Sequence, residues 1–170
     1  WNSFFAEPKG ETQISDVVRE RLQGFLGKAF RKPISHELLQ RYAAHAMARI
    51  KSGDSFTEAM KSAASAALAS PRFLYLYDEV TTNDSIKSQD DYELASRLSF
   101  FLWGSIPDEE LLAVAGSGKL SDPKVLEQQV ERMLNDRRLK RFCDSFPSQW
   151  LQLDRIISSV PDVNKYKDFY

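Results

Sequence analysis

The chain has 170 residues, of which 42% are hydrophobic and 28% charged, and its formal net charge is −1. These values are typical of a globular protein large enough to bury a core, and the near-neutral charge argues against a general affinity for nucleic acid or anionic membranes. The single cysteine, Cys143, excludes an intrachain disulfide, and the absence of an apolar run of about 18 residues predicts no membrane span.

Residues 1–13 are polar and contain a proline and a glycine, so they predict an arm or linker. We expect the aromatic side chains of this arm, Trp1, Phe4 and Phe5, to dock onto the core rather than to form a partner-binding motif. The segment lacks an initiator methionine and the regions of a signal peptide. This start favours a segment of a longer chain.

Residues 14–77 predict a first helical domain. Apolar side chains recur at helical spacing in residues 16–30, in 35–51 and from 55 to about 69. The short apolar segment 72–77 has no partner strand anywhere in the chain, so we interpret it as a short helix. The polar, turn-forming segment DEVTTNDSIKSQ, residues 78–89, predicts a linker between two halves.

Residues 90–170 predict a second helical region, which begins with the densest apolar stretch of the chain. We expect Gly104 to end its first helix, and the capping-box spacing of Ser105 and Asp108 predicts the start of the next one. A later helix carries several large apolar side chains on one face, and Pro147 within it predicts a kink or a restart.

The predicted fold is all-α, a bundle of about six to eight helices in two sub-domains that share one core. We expect one apolar seam between the sub-domains, lined by Phe101, Leu102, Trp103, Phe146 and Trp150. Cys143, on the same face as Phe146, is interpreted as a small buried hydrophobic residue.

Arg97 lies on an apolar side of its predicted helix, so we expect its guanidinium to be partly buried. A buried arginine needs a paired carboxylate, and the candidates are Asp108, Glu109 and Glu93. We favour a structural role, an ion pair that braces the helix junction, over a role in binding a substrate.

No pattern for catalysis or for a cofactor emerges from the residues. His36 and His45 point to opposite sides of one helix and are expected at the surface, so no metal site is predicted. The chain contains no C-x-x-C-H, no G-x-S-x-G and no phosphate-binding glycine motif. The basic run at 137–141 is interpreted as a solvated helix face in preference to a nucleic-acid contact. Nucleic-acid binding is a third option, and it predicts salt-sensitive retention on heparin.

Whole phrases of the chain resemble a known group of domains. These phrases are LASPRFLYLYDE, DYELASRLSFFLWGSIPDEELL, GKLSDPKVLEQQVERMLND and FPSQWLQL. They are similar to the PSD-type helical domains of unknown function in planctomycete cytochrome-associated proteins. Residues 14–77 resemble one such domain, and residues 90–170 resemble the first part of the next, which is therefore expected to be truncated.

The resemblance implies an exported, periplasmic, multidomain protein whose partners are other domains of the same polypeptide, including a cytochrome domain. It implies c-type haem on a separate domain, no cofactor in this segment and no catalytic residues to assign. The expected function is a non-catalytic helical scaffold or interaction module. The alternative is one wall of an enzyme or electron-transfer site completed by other domains, and a deep pocket lined by converging arginine, histidine and carboxylate side chains would favour it. An exposed apolar patch would favour the scaffold.

Overall fold

A computed structural model describes residues 2–8, 13–76, 90–158 and 165. Every regular element of these residues is helical, which confirms the predicted all-α class. The elements are α1 (Asn2–Phe5), α2 (Ile14–Ala29), α3 (His36–Lys51), α4 (Phe56–Leu68), α5 (Pro71–Leu74), α6 (Asp91–Trp103), α7 (Glu109–Gly116), α8 (Pro123–Leu134), a 3-10 helix (Arg137–Leu139), α9 (Lys140–Trp150) and α10 (Leu153–Ser158).

The described helices outnumber the predicted six to eight because short segments form helices of their own. The segment after Ser70 is one example, since α5 spans only four residues and is a helix rather than a strand, as expected. No helix of the described residues is both long enough and apolar enough to cross a membrane. The predicted linker, residues 78–89, lies outside the described residues.

The first half of the fold, α1 to α5, is built on a three-helix packing of α2, α3 and α4. Leu22 and Leu26 of α2 are fully buried against Met60 of α4. Burying one such side chain stabilises the fold by about 1.5–3 kcal/mol. Alanines along the inner side of α4 are also buried, and their small size lets the neighbouring helices approach closely.

The N-terminal arm docks onto this first cluster, as expected for Phe4 and Phe5. Arg21 of α2 donates from Nη1 to the carbonyl oxygen of Phe4 at 3.0 Å, and Thr57 of α4 donates to the carbonyl oxygen of Phe5 at 2.9 Å. These bonds fix α1 across α2 and α4. Trp1, the third aromatic residue of the arm, lies outside the described residues.

The second half, α6 to α10, has its own cluster of buried side chains around Trp103, Leu111, Leu120 and Met133, all fully buried. Asp91 at the start of α6 ties this cluster to the loop before α8. Its carboxylate accepts from the backbone N–H of Leu120 at 2.7 Å, so the buried charge is hydrogen-bonded as a buried carboxylate requires.

The two halves therefore have separate cores, and the prediction of one shared core is wrong. Where the halves meet, the Lys28 ammonium lies 3.3 Å from the Glu109 carboxylate, and the Arg31 guanidinium lies 5.6 Å from the ring centre of Phe100. An exposed ion pair adds little stability. The reason for the separation is that the side of α6 facing the first half borders a cavity, described below, instead of an aliphatic surface.

Local signals define the ends of α6 and α7. Gly104 follows α6 with φ +57°, the left-handed conformation that glycine adopts most easily, and so ends the helix as predicted. The start of α7 differs from the prediction, because Asp108 rather than Ser105 is its N-cap, with Oδ1 accepting from the Leu111 N–H at 3.0 Å. Pro147 lies inside α9, which continues through it without a restart.

Candidate functional site

Two of the predicted structural residues, Trp103 and Asp108, meet at the junction of α6, α7 and α8. The indole N–H of Trp103 donates to the carbonyl oxygen of Met133 at 3.1 Å. The guanidinium carbon of Arg138 lies 3.3 Å from the ring centre of Trp103, and that of Arg132 lies 5.6 Å away. Both arginines also reach Asp108, at 2.8 Å for Arg132 and 3.1 Å for Arg138.

We call these four residues, Trp103, Asp108, Arg132 and Arg138, the Trp103 brace. Burial of Asp108 opposes its ionisation, but hydrogen bonds from Arg132, from the backbone of Leu111 and from Arg138 outweigh this effect. The pKa of the Asp108 carboxyl is therefore below its ordinary value. The hydrogen bond to Asp108 raises the pKa of Arg132. A network this fully ionised and mutually bonded holds helices together and leaves Asp108 unsuited to proton transfer at neutral pH.

Arg97 does not belong to this brace. It is exposed on α6, so the predicted partial burial is wrong. The carboxylate of Asp108 is bonded to Arg132 and Arg138, which come from the more distant α8 and 3-10 helix. The apolar spacing around Arg97 misled the prediction because this side of α6 faces the cavity between the halves rather than another helix.

The predicted seam divides into a buried part and an exposed part. Leu102 and Trp103 are buried in the second cluster, whereas Phe101, Phe146 and Trp150 are exposed. The prediction is therefore wrong for these three residues. Helical spacing shows correctly that Phe146 and Trp150 share one face of α9. Among the described residues, Phe101 of α6 covers only part of this face, with its ring centre 5.5 Å from that of Phe146, and Trp150 stays 71% exposed.

The three exposed aromatic residues and the half-buried Phe142 form a continuous stack, which we call the aromatic face (Phe101, Phe142, Phe146 and Trp150). The rings of Phe142 and Phe146 stack at 4.9 Å, and those of Phe146 and Trp150 at 5.8 Å. The edge of Phe101 meets Phe142 at 5.1 Å. Trp150 is 71% exposed and Phe101 is 54% exposed, which leaves a sizeable part of this aromatic surface in contact with solvent.

Cys143 lies beside the aromatic face and is exposed, so its predicted burial is wrong for the same reason. His36 and His45 are exposed, as expected, and the Nε2 atom of His45 lies 2.9 Å from the hydroxyl of Ser62. Within the described ranges, no group of three histidine, cysteine or carboxylate side chains is arranged to hold a metal ion.

Arg31, directly after α2, anchors a second polar centre. It is 95% buried, since only 5% of its surface is exposed, and its backbone has φ +58°. Its Nη1 donates to the carbonyl oxygen of Phe73 at 3.1 Å, and its Nη2 donates at 3.0 Å each to the carbonyl oxygens of Arg72 and Tyr75. Burial lowers the pKa of Arg31, but an arginine remains charged at neutral pH. Arg31 thus clamps α5 to the end of α2.

The Arg31 clamp forms one wall of a cavity of about 400 Å³ between the halves. The charged side chains of its described lining are Arg31, Lys32, Arg72, Glu93 and Arg97. Four of them are cationic and one is anionic. A neighbouring cavity of about 370 Å³ shares Lys32 and Arg72 and adds one cationic and one anionic side chain, Arg41 and Glu37. Most of the charged side chains in the described lining of the two cavities are therefore cationic, although the chain as a whole is near neutral.

The chemistry of the cavity is that of anion binding. Guanidinium groups present planar, forked donors that match carboxylates and phosphates. The described lining contains no histidine or cysteine to act as a general base or nucleophile, and the hydroxyl of Ser96 donates to the carbonyl oxygen of Tyr92 at 2.8 Å. Sequence patterns do not identify Arg31 and Arg72 as site residues. The only local signals were the basic turn before Pro33 and the basic residue after Pro71.

Both halves of the chain match models of protein families. Residues 90–170 match PSD4, described as a protein of unknown function (DUF1592), and residues 17–78 match PSD5, described as a protein of unknown function (DUF1595). The chain therefore matches two consecutive domains of unknown function. This confirms the two-domain part of the resemblance. Comparisons with curated proteins and with solved structures find no match to the chain.

The features described above divide between the two domains. The Trp103 brace and the aromatic face lie within the PSD4 domain. The cavity has contributions from both, because Arg31 and Arg72 come from the PSD5 domain and Glu93 and Arg97 from the PSD4 domain. The cavity is therefore a feature of the tandem arrangement.

Proposed function

We propose that this chain is a non-catalytic helical scaffold or interaction module of a larger, exported, cytochrome-associated protein, and that its aromatic face packs against another domain of the same polypeptide. The aromatic face is the observation that carries this proposal. Aromatic side chains are enriched at the centres of protein interfaces, and stacked, exposed rings bring a large contact area at small cost in conformational entropy.

The size of the face favours a partner in the same polypeptide. A stable interface between separate chains uses about 20–30 residues on each side, whereas the aromatic face has four. A tethered domain is held at an effective concentration in the millimolar range, so a small apolar contact is enough to dock it. The export, the periplasmic location and the c-type haem on a separate domain are supported by the resemblance of the chain alone.

Amide hydrogen exchange tests the proposal by comparing this chain with the longer polypeptide that contains it. We expect the amides of α9 to exchange more slowly in the longer polypeptide, because a docked domain covers the aromatic face. The amides of α4, buried in the other half, serve as an internal reference and are expected to keep their rates. Equal exchange of α9 in both proteins would contradict the proposal.

A pair of variants sharpens this test. Trp150→Ser removes the most exposed ring and is expected to restore fast exchange of α9 in the longer polypeptide. Leu134→Ser, which changes a residue that is 47% exposed outside the aromatic stack, is the matched control and is expected to leave the protection intact. If this chain instead dimerises through the face in sedimentation experiments, with Trp150→Ser abolishing the dimer, the occupant is a second copy and the proposal is wrong.

The second candidate function, one wall of an enzyme or electron-transfer site completed by other domains, has the cationic cavity in its favour. Arginine and carboxylate side chains line this cavity, which supports that candidate in part, since the described lining contains no histidine. The two candidates differ in which substitutions matter. The second predicts that Arg72→Gln impairs the activity of the full polypeptide while Trp150→Ser does not.

A further inference from the structure

We propose that the cavity between the two halves binds a small organic anion, a carboxylate or phosphate group carried on a flat apolar body. This inference goes beyond the scaffold function and does not depend on it, because it rests on the Arg31 clamp and the cavity rather than on the aromatic face. The chemical class of the ligand follows from three properties of the site.

The first property is the buried positive charge of Arg31. Its three bonds to carbonyl oxygens satisfy much of its hydrogen-bonding capacity but do not neutralise its charge. No carboxylate of the described residues forms an ion pair with it. A buried charge without a counterion is unfavourable, and an anion placed in the adjoining cavity supplies the missing opposite charge.

The second property is the position of Arg72. Its backbone is held by the Arg31 clamp, and Ser70, the N-cap of α5, accepts from its N–H at 3.3 Å. Its side chain is exposed beside the cavity, and no carboxylate in the part of the chain that the structure describes forms an ion pair with it. A rigid backbone with an uncommitted guanidinium suits a direct ligand for a carboxylate or phosphate.

The third property is the apolar part of the lining. Phe30, Tyr75, Leu76 and Tyr92 border the same cavity as the arginines. Ligand pockets of proteins are typically about 300–1,000 Å³ and combine such apolar walls with a few polar groups. The volume of about 400 Å³ fits a ligand the size of one substituted ring. The positive charge excludes a divalent cation, and the small extent of the basic region argues against a nucleic acid.

Isothermal titration calorimetry on the intact chain tests this assignment with four probes: phenyl phosphate, benzoate, neutral benzamide and inorganic phosphate. We expect phenyl phosphate and benzoate to bind, and benzamide to bind at least ten-fold more weakly because it lacks the charge. Inorganic phosphate should also bind at least ten-fold more weakly, because it lacks the apolar body. Equal affinity for benzamide and benzoate, or for inorganic phosphate and phenyl phosphate, would overturn the assignment.

Substitutions locate the binding in the cavity. Arg72→Gln changes an exposed side chain, so we expect it to keep the melting temperature and to weaken phenyl phosphate binding at least ten-fold. Arg137→Gln is the matched control, because Arg137 is an exposed arginine outside the cavity. This variant should bind phenyl phosphate with the same affinity as the original chain. Unchanged binding by folded Arg72→Gln, or equal loss in Arg137→Gln, overturns the proposal. Trp150→Ser should bind phenyl phosphate normally, which separates this test from that of the scaffold function.

Discussion

Replacing Trp103 by phenylalanine probes the Trp103 brace most directly. The change keeps an aromatic ring beneath Arg138 but removes the indole N–H, which donates to the carbonyl oxygen of Met133 at 3.1 Å. That oxygen keeps its bond from the backbone N–H of Asp136 at 3.3 Å. Losing one of the two bonds costs about 0.5–1.5 kcal/mol. The smaller ring also leaves a void where a fully buried side chain stood, and filling it imperfectly costs about 1 kcal/mol more. We expect Trp103→Phe to lower the free energy of unfolding by about 2 kcal/mol.

Urea unfolding followed by circular dichroism measures this loss of unfolding free energy. Amide hydrogen exchange shows which helices are destabilised. Because Trp103 belongs to the second cluster, exchange is expected to accelerate in α6 to α9. Leu22→Ala is the matched variant in the first cluster, where deleting a fully buried leucine side chain costs about 2–5 kcal/mol. It is expected to accelerate exchange in α2 to α4.

Two outcomes would refute this reasoning. A loss below about 1 kcal/mol for Trp103→Phe would show that the indole bond and its packing contribute little, since such a loss is within the range of an ordinary substitution. Identical exchange maps for Trp103→Phe and Leu22→Ala would show that the halves unfold together. In that case the two buried clusters act as one energetic unit despite their separation.

Three further predictions follow from individual side chains. The pKa of Asp108 is lower in the folded chain than in the unfolded one, so its stabilisation is present at neutral pH and is lost as the pH falls below the ordinary value of about 3.9. The difference in unfolding free energy between the original chain and Asp108→Asn should therefore shrink between pH 5 and pH 2 in a urea series, and a constant difference would be inconsistent with the depressed pKa. Arg97→Leu should change the melting temperature little in calorimetry, because Arg97 is exposed and a surface ion pair is worth about 0–1 kcal/mol; a large loss would restore its predicted bracing role. Cys143 should react with a thiol reagent in the native protein as fast as in urea, because it is exposed, and strong protection would show that its face is covered.

Much of the local structure could be predicted from the sequence because its causes are local. Ser35 and Ser55 cap α3 and α4 as their spacing indicates, each accepting a backbone N–H at 3.2 Å. Gly104 ends α6 for a conformational reason that involves no other part of the chain. The all-α class followed from the helical spacing of the apolar residues. In the structure, these residues form the packed faces of α2 and α4.

The errors concern what lies opposite a helix face. Spacing showed that Phe146 and Trp150 share a face of α9, but it contains no information on how far another element covers that face. Of the described helices, α6 covers it only in part, through Phe101. The same limit applies to Arg97, whose side of α6 faces a cavity. Asp108 was among the named carboxylates, but its partners come from residues 24 and 30 positions further along the chain. Sequence spacing alone does not reveal such distant pairs.

Among the residues of the candidate site, Arg31 was the hardest to identify from the sequence. Its left-handed backbone is a conformation that costs a non-glycine residue about 1–2 kcal/mol, and nothing in the sequence predicts that an arginine will adopt it. The three carbonyl bonds of its guanidinium offset that cost, and they depend on α5 returning to the end of α2. The clamp is thus a product of tertiary structure.

The separation of the two cores has a consequence for how the protein is made. The first cluster draws its fully buried residues from positions 18–67 and the second from positions 95–133, so neither needs a residue from the other half. Chains whose contacts are close in sequence fold quickly, and domains fold as units while the ribosome is still synthesising the remainder. The first half can therefore complete its interior before the second leaves the exit tunnel, and the cavity between them is assembled last.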